Sequence, residues 1–484
     1  MNAPASFELT HPDSLFIGGA WVAPIGRERL DVVNPATEEI VANVAAASAA
    51  DVDRAVAVAR EAFECGPWPR LAPAERAARL RIVAAELRRR QPELARALTL
   101  EMGAPLRVTT GSTAGPPTLV EHYADMVENL AEAEPRARKG GQAFNVMEPV
   151  GVVAAIVPWN SPLNLSVLKL APALAAGCTI ILKAAPSTPL DAHILAECVE
   201  AAGLPEGVVS ILPGGNHAGD ALVRDPRVDK VTFTGSTAVG LHIAEICARR
   251  LARVALELGG KSAAIILDDM DLDEVVAKLL PASTAHSGQA CSALTRVLVP
   301  RHRHDAFVDA FAAAMAGARV GDPFDPATDM GPIALERQRD RVEHYIALGR
   351  SEGARLVTGG GRPAHLDRGY FVEPTVFTGV DNGMTIAREE IFGPVISIMA
   401  YDGEEQAIAM ANDSAYGLYN SIFTHDDAAI WRIGRQLRSG NVAKNAVIVD
   451  RTLPYGGFKQ SGIGREGGIE GLRSFQEQKT VYLA

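Results

Sequence analysis

The chain alternates between two hydrophobic rhythms. VGVVAAIVPW (150–159), CTIILKA (178–184), VVSILPG (208–214) and KVTFTG (230–235) are apolar at nearly every position. Each leads into a stretch whose apolar residues recur three and four apart, such as SPLNLSVLKLAPALAAG and STAVGLHIAEICARR. Another such stretch opens at Thr188–Pro189 and stops at Gly203, a cap with proline in the first turn and glycine at the end. Runs apolar throughout read as strands buried on both faces. Alternation with helices of this length predicts an α/β fold with a parallel, doubly wound sheet.

Before this series, LFIGGAWV and LDVVNPATEEIVANV read as short strands with turns, and residues 51–65 and 73–102 as helices. GPPTLVEHYADMVENL reads as a helix leading out of the first domain. A second series runs from about 256 to 450, with VALEL, SAAIILDD, TRVLVP, RLVTGG and VISIMAY as its strands. It predicts a second α/β domain. The polar stretch 131–149 and the terminal TVYLA fit neither core.

The length of 484 residues suits two or three domains. The net charge of −11 repels phosphate backbones and anionic lipid, so neither nucleic acid nor a membrane surface is an expected partner. No apolar run approaches the ~20 residues a membrane helix needs. Five widely spaced cysteines make neither a disulfide framework nor a metal site, and no secretory signal opens the chain. A soluble cytoplasmic protein is expected.

Several short motifs carry possible chemistry, each with a plainer alternative. GIGREG (462–467) fits a dinucleotide fingerprint literally, but no strand precedes it, so it reads as a turn. TFTGSTAVG (232–240) follows a strand and opens a helix. Gly235 and Ser236 there make either a phosphate site or an ordinary capped helix start. PWN (158–160) closes a strand, where Asn160 is an amide donor or a turn former. ELGGK (257–261) puts Glu257 at a strand end, as a general base or a solvated carboxylate. EEIFGP (389–394) offers Glu390 to hydroxyl groups, or makes a surface turn. HSGQACSALTR (286–296) places Cys291 on a loop, as a nucleophile or a small core residue. His286 is near it in sequence, which is weak evidence for pairing.

The order of these motifs says more than any one of them. PWN, FTGSTxxG, ELGGK, GQxC, EEIFGP and PYGGFKxSGIGRE, together with FIGGAWV and VVNPATEEIVANV, strongly resemble the NAD(P)-dependent aldehyde dehydrogenase superfamily over nearly the whole chain. The resemblance implies oxidation of an aldehyde to its acid. Cys291 would be the nucleophile, Asn160 and the Cys291 N–H the oxyanion donors, Glu257 the base that activates water, and Lys169 a lysine near the site. It assigns Lys183 and Glu390 to the ribose hydroxyls and Ser236 to the pyrophosphate. Ile156, Trp159, Gly215, Gly235 and Phe392 would line the cofactor path. The implied domains are a dinucleotide-binding domain (1–130 and 150–256), a catalytic domain (257–469) and a β-extension for oligomer contacts (131–149 and 470–484), in a homodimer or homotetramer.

Two departures from the family pattern stand out. Ala184, Ala185 and Pro186 follow Lys183 where the family often has a glutamate three residues after the lysine, so NAD is expected with NADP possible. Ser161 and Leu168 replace aromatic residues, and Ala290 and Ser292 flank the nucleophile, with Tyr455 as one aromatic wall. A roomy apolar pocket for medium-to-large apolar or aromatic aldehydes follows. The alternatives are a CoA-acylating relative, which needs no water-activating glutamate, and a non-catalytic binding homologue. A cysteine hydrolase would need a histidine base that the sequence does not supply.

Overall fold

The computed structural model describes residues 6–483. Residues 1–5 and 484, placed above in the first domain and the extension, lie outside the described residues.

The first sheet has eight strands, in the order Ala20–Val22, Leu15–Ile17, Val209–Pro213, Thr179–Ala184, Val152–Ile156, Lys230–Thr234, Arg253–Glu257 and Gly462–Ile463. The five strands from Val209–Pro213 to Arg253–Glu257 are parallel. In chain order they stand third, second, first, fourth, fifth, so the winding reverses between Val152–Ile156 and Lys230–Thr234. Ligands of doubly wound sheets sit at the carboxyl ends of the strands beside such a reversal. The apolar runs are explained by two cores, one on each face. Val153, Ala155, Ile180 and Leu182 pack into one, and Val152, Ala154, Ile181 and Val231 into the other.

The second sheet has seven strands, in the order Arg355–Thr358, Thr375–Thr378, Val395–Tyr401, Leu294–Pro300, Ser262–Ile266, Tyr419–Phe423 and Asn441–Lys444. All its pairings are parallel except that of Arg355–Thr358. A third sheet pairs Gln476–Leu483 with Gln142–Pro149, and that strand with Ala133–Arg136, all antiparallel. The two segments that fitted neither core therefore complete each other across the length of the chain.

Three sequence expectations need correction. VALEL was read with the second series, but Arg253–Glu257 pairs along its whole length with Lys230–Thr234 in the first sheet. The second sheet begins at Ser262, across the Gly259–Gly260 turn. Residues 462–469 were assigned to the second domain, yet Gly462 pairs with Glu257 and Ile463 with Leu256. Leu472 and Phe475 then join the first core. The helical stretch 73–102 is two helices, Pro73–Arg89 and Gln91–Met102, because Pro92 starts a new first turn and lacks the N–H to continue the old helix.

Candidate active site

Cys291 stands on the loop between the helix Leu272–Thr284 and the strand Leu294–Pro300, partly exposed. The loop approaches it through strained backbone. His286 (φ 49°) and Ser287 (φ 57°) lie in the left-handed region, at a cost of about 1–3 kcal/mol each. Side chains hold that shape. Ser287 Oγ donates to the Gly331 carbonyl at 2.8 Å. Gln289 Nε2 donates to the His286 carbonyl at 2.9 Å, and its Oε1 accepts from the Ala334 N–H at 3.0 Å.

Two strand ends and the segment around Glu390 converge on this loop. Asn160, four residues beyond the strand Val152–Ile156, donates Nδ2 to the Gln289 carbonyl at 2.9 Å. That bond uses one amide hydrogen and aims the side chain at the loop, with the second hydrogen left to serve. The Cys291 N–H has no acceptor among the described residues. Glu257 ends its strand buried, with neither carboxylate oxygen hydrogen-bonded. The two glycines after it are required by close approach. A Cβ on Gly260 would strike the Cys291 carbonyl oxygen, and one on Gly259 would strike the Glu390 carboxylate. So ELGGK, the cysteine loop and EEIFGP are packed backbone against side chain.

The charges here are unusual. Burial first, then the nearby carboxylates of Glu390 and Glu257, push the Cys291 thiol up to about 12, with Tyr455 and Arg451 opposing weakly. Burial and the charge of Glu466 raise Glu257 well above the usual carboxylate range. Burial pushes Glu390 up to about 7, although its Oε1 accepts from the Gly260 N–H at 2.9 Å. Lys169 is fully buried and donates to Thr234 Oγ1 at 2.8 Å and to Glu466. Glu466 also accepts from Thr232 Oγ1 at 3.0 Å.

Sequence reasoning missed Glu466. It sits inside GIGREG, which reads as a turn but whose first two residues form the edge strand Gly462–Ile463, and its partner Lys169 is 297 residues away. No local pattern signals such a pairing. His286, the tempting partner of Cys291, is half-buried, with its Nδ1 shut from solvent and unbonded, and desolvation lowers its basicity.

A second group of expected residues lines the strand ends beside the sheet reversal. Ile156 ends its strand, and Trp159 meets Phe392 edge to face with ring centroids 5.5 Å apart. Phe392 has φ 62°, and Gln338 Nε2 holds that turn by donating to the Ile391 and Phe392 carbonyls at 2.9 Å each. Lys183, buried one residue before its strand ends, donates to the Gly214 carbonyl at 3.1 Å, and burial lowers it to about 8. Gly215 is the N-cap of the helix Asn216–Arg224. Ser236, after Gly235, is the N-cap of Thr237–Ala248, and its hydroxyl accepts from the Val239 N–H at 3.5 Å. Two helix starts with spare N–H groups suit a diphosphate. Lys183 and Glu390 suit hydroxyl pairs on either side of it, so the residues fit a dinucleotide.

The chain is similar to known proteins along nearly its whole length. A family model described as "Aldehyde dehydrogenase family" matches residues 21–481. A geranial dehydrogenase of Castellaniella defragrans is 48% identical over 471 residues, 97% of this chain and 98% of that protein. A Mycobacterium tuberculosis aldehyde dehydrogenase solved with NAD+ is 48% identical, covers 99% of each chain and superimposes with a TM-score of 0.95. A Staphylococcus aureus betaine aldehyde dehydrogenase solved with NAD+ is 35% identical, covers 98% of this chain and 95% of its own, and has a TM-score of 0.96.

Proposed function

The chain belongs to the aldehyde dehydrogenase family, and from that premise we propose that it oxidises an aldehyde to the carboxylic acid with NAD, through a thioester on Cys291. The observation that carries the reading is the meeting of Asn160, Cys291 and Glu257 through the Gln289 carbonyl and the Gly260 contact.

The Cys291 sulfur, once deprotonated, forms a C–S bond to the aldehyde carbon. The carbonyl oxygen becomes an oxyanion, held by Asn160 Nδ2 and the Cys291 N–H. Loss of one such donor costs about 10²–10³ in turnover. A nicotinamide held by the residues named below would supply the hydride acceptor, and loss of hydride from the adduct carbon would leave a thioester on Cys291. Glu257 then takes a proton from water as the water oxygen attacks the thioester carbon. The sulfur leaves and the acid is released. A dry, unbonded carboxyl with a raised pKa is suited to this proton transfer. Lys169, tied to Glu466, places a positive charge near Glu257 and keeps that carboxyl from being raised further. Lys183 and Glu390 would hold the ribose hydroxyls, and Gly215, Gly235 and Ser236 the pyrophosphate. Ile156, Trp159 and Phe392 would flank the path between them. No carboxylate occupies Ala184–Ser187, so NADP is expected to serve as a weaker substitute.

The substrate proposed is a medium-to-large apolar or aromatic aldehyde. Ala290 and Ser292 beside the nucleophile are small, and the loop before Tyr455 exposes Ile448, Val449 and Leu453. The geranial dehydrogenase relative points the same way. A panel of aldehydes of rising chain length, run with NAD and with NADP and read as reduced cofactor, tests this. Catalytic efficiency should rise from acetaldehyde to terpenoid and aromatic aldehydes, and a maximum at acetaldehyde contradicts it. A CoA-acylating reaction is disfavoured by Glu257. Free acid formed without CoA separates the two.

The domains proposed are 1–130 with 150–256 for the cofactor and 257–461 for catalysis, the chain rejoining the first sheet at Gly462. The extension of 131–149 and 470–484 would make a homodimer or homotetramer. All five cysteines are free, which suits the reducing cytoplasm.

A further inference from the structure

Residues 389–392 carry the proposed ribose carboxylate. They leave the short helix Thr385–Arg388 in irregular backbone and turn at Phe392 through a left-handed φ. Such backbone is costly and persists only where its surroundings over-determine it. Here the surroundings are one face of the helix Glu336–Ser351. Gln338, Arg341 and Tyr345 recur three and four apart and so share that face. Gln338 Nε2 donates to the Ile391 and Phe392 carbonyls. Arg341 Nη2 donates to the Glu390 carbonyl at 2.8 Å. Val342, between them, fills the space that a Cβ on Gly393 would need.

Tyr345 is the hub of this contact. It is 4% exposed, while Arg341 and Glu389 are both exposed. Its hydroxyl accepts from Arg341 Nη2 at 3.0 Å and donates to the Glu389 carboxylate. Its ring lies under the Arg341 guanidinium, with 4.8 Å between the guanidinium carbon and the ring centroid. Burial, then the bond to Glu389, push the hydroxyl up to about 12, so it keeps the proton it donates. The Glu390 carboxylate is held from the other side, by the Gly260 N–H at 2.9 Å.

We propose that Tyr345 is a positioning residue for the cofactor: it aims Arg341 at the Glu390 carbonyl and ties down Glu389, and so fixes the backbone from which the Glu390 carboxylate meets the ribose hydroxyls. This rests on Glu390 being a ribose site. Without the Tyr345 hydroxyl, Arg341 loses the acceptor that aims it and Glu389 loses its buried donor. The segment then gains freedom that NAD+ must remove on binding, and that ordering weakens affinity.

Calorimetric titration with NAD+ of Tyr345→Phe, Glu390→Gln and the double variant tests this. Tyr345→Phe keeps the buried ring and should bind NAD+ about tenfold more weakly, the size of one lost hydrogen bond to a charged group. Glu390→Gln should bind at least as weakly. If Tyr345 acts through Glu390 the two losses do not add, and Tyr345→Phe should cost less than about twofold in the Glu390→Gln background. Glu389→Ala removes the acceptor at an exposed position, leaves the ring in place, and should weaken NAD+ binding as Tyr345→Phe does. Wild-type affinity in Tyr345→Phe or in Glu389→Ala overturns the proposal. So does a Tyr345→Phe loss that persists undiminished in the Glu390→Gln background, the mark of a general structural role. Unchanged affinity in Glu390→Gln alone removes the ribose reading, and the proposal with it.

Discussion

Cys291, the proposed nucleophile, has its thiol pushed up to about 12, so it rests as a thiol and not as a standing thiolate. Thiolate is the reactive form, and its fraction rises tenfold per pH unit below the pKa. In the cofactor-free protein, alkylation of Cys291 by iodoacetamide should therefore climb about tenfold per unit from pH 7 to pH 10. Peptide mass mapping separates it from the exposed Cys65. A rate that levels off by pH 8 contradicts this. Glu390→Gln removes one repelling charge and should raise the rate at pH 8 severalfold. The candidate residues themselves were legible in the sequence, since Asn160, Glu257, Cys291 and Glu390 sit in short motifs. Their electrostatic partners were not. Glu466 matters through burial and a contact with Lys169 far away in the chain, and neither property has a local sequence signature.

Elements carry these residues because strand ends and turns are fixed by packing. The turn Gly259–Gly260 is where the first sheet hands the chain to the second, and it leaves no room for a side chain. Gly260→Ala must push the Cys291 carbonyl away. A displacement of this kind, of about 1 Å, costs about 10²-fold. We expect kcat/KM to fall by that order with NAD+ affinity changed little; a fall of less than threefold contradicts the contact. Strands apolar at every position were readable as buried parallel strands. Their sheet membership was not. Arg253–Glu257 has an apolar centre, as do the strands before and after it, and only the pairing with Lys230–Thr234 assigns it. The four-residue strands Thr375–Thr378 and Asn441–Lys444 are too short for a period to show.

For the whole molecule, the third sheet leaves Gln476–Leu483 as an open edge strand, with Val481, Tyr482 and Leu483 exposed. An open edge of this length, apolar over its last three described residues, is a template for pairing with another chain. Light scattering after size exclusion should give a mass two or four times that of one chain. Val481→Asp with Tyr482→Asp should shift it toward the monomer, and a monomeric wild-type protein contradicts the oligomer. The general plan of two parallel sheets followed from hydrophobic rhythm alone. The joining of 131–149 to the last residues came from the family resemblance, because strands over 300 residues apart leave no periodic trace.

The central claim is that the substrate carbon becomes bonded to Cys291 and is released through Glu257. Glu257→Gln, mixed with NAD+ and a reactive aldehyde and quenched in acid, should show one acyl group per chain by intact mass. Peptide mapping should place it on Cys291, together with about one equivalent of NADH formed in a burst. Acylation elsewhere, or an undiminished burst in Cys291→Ala, contradicts the account.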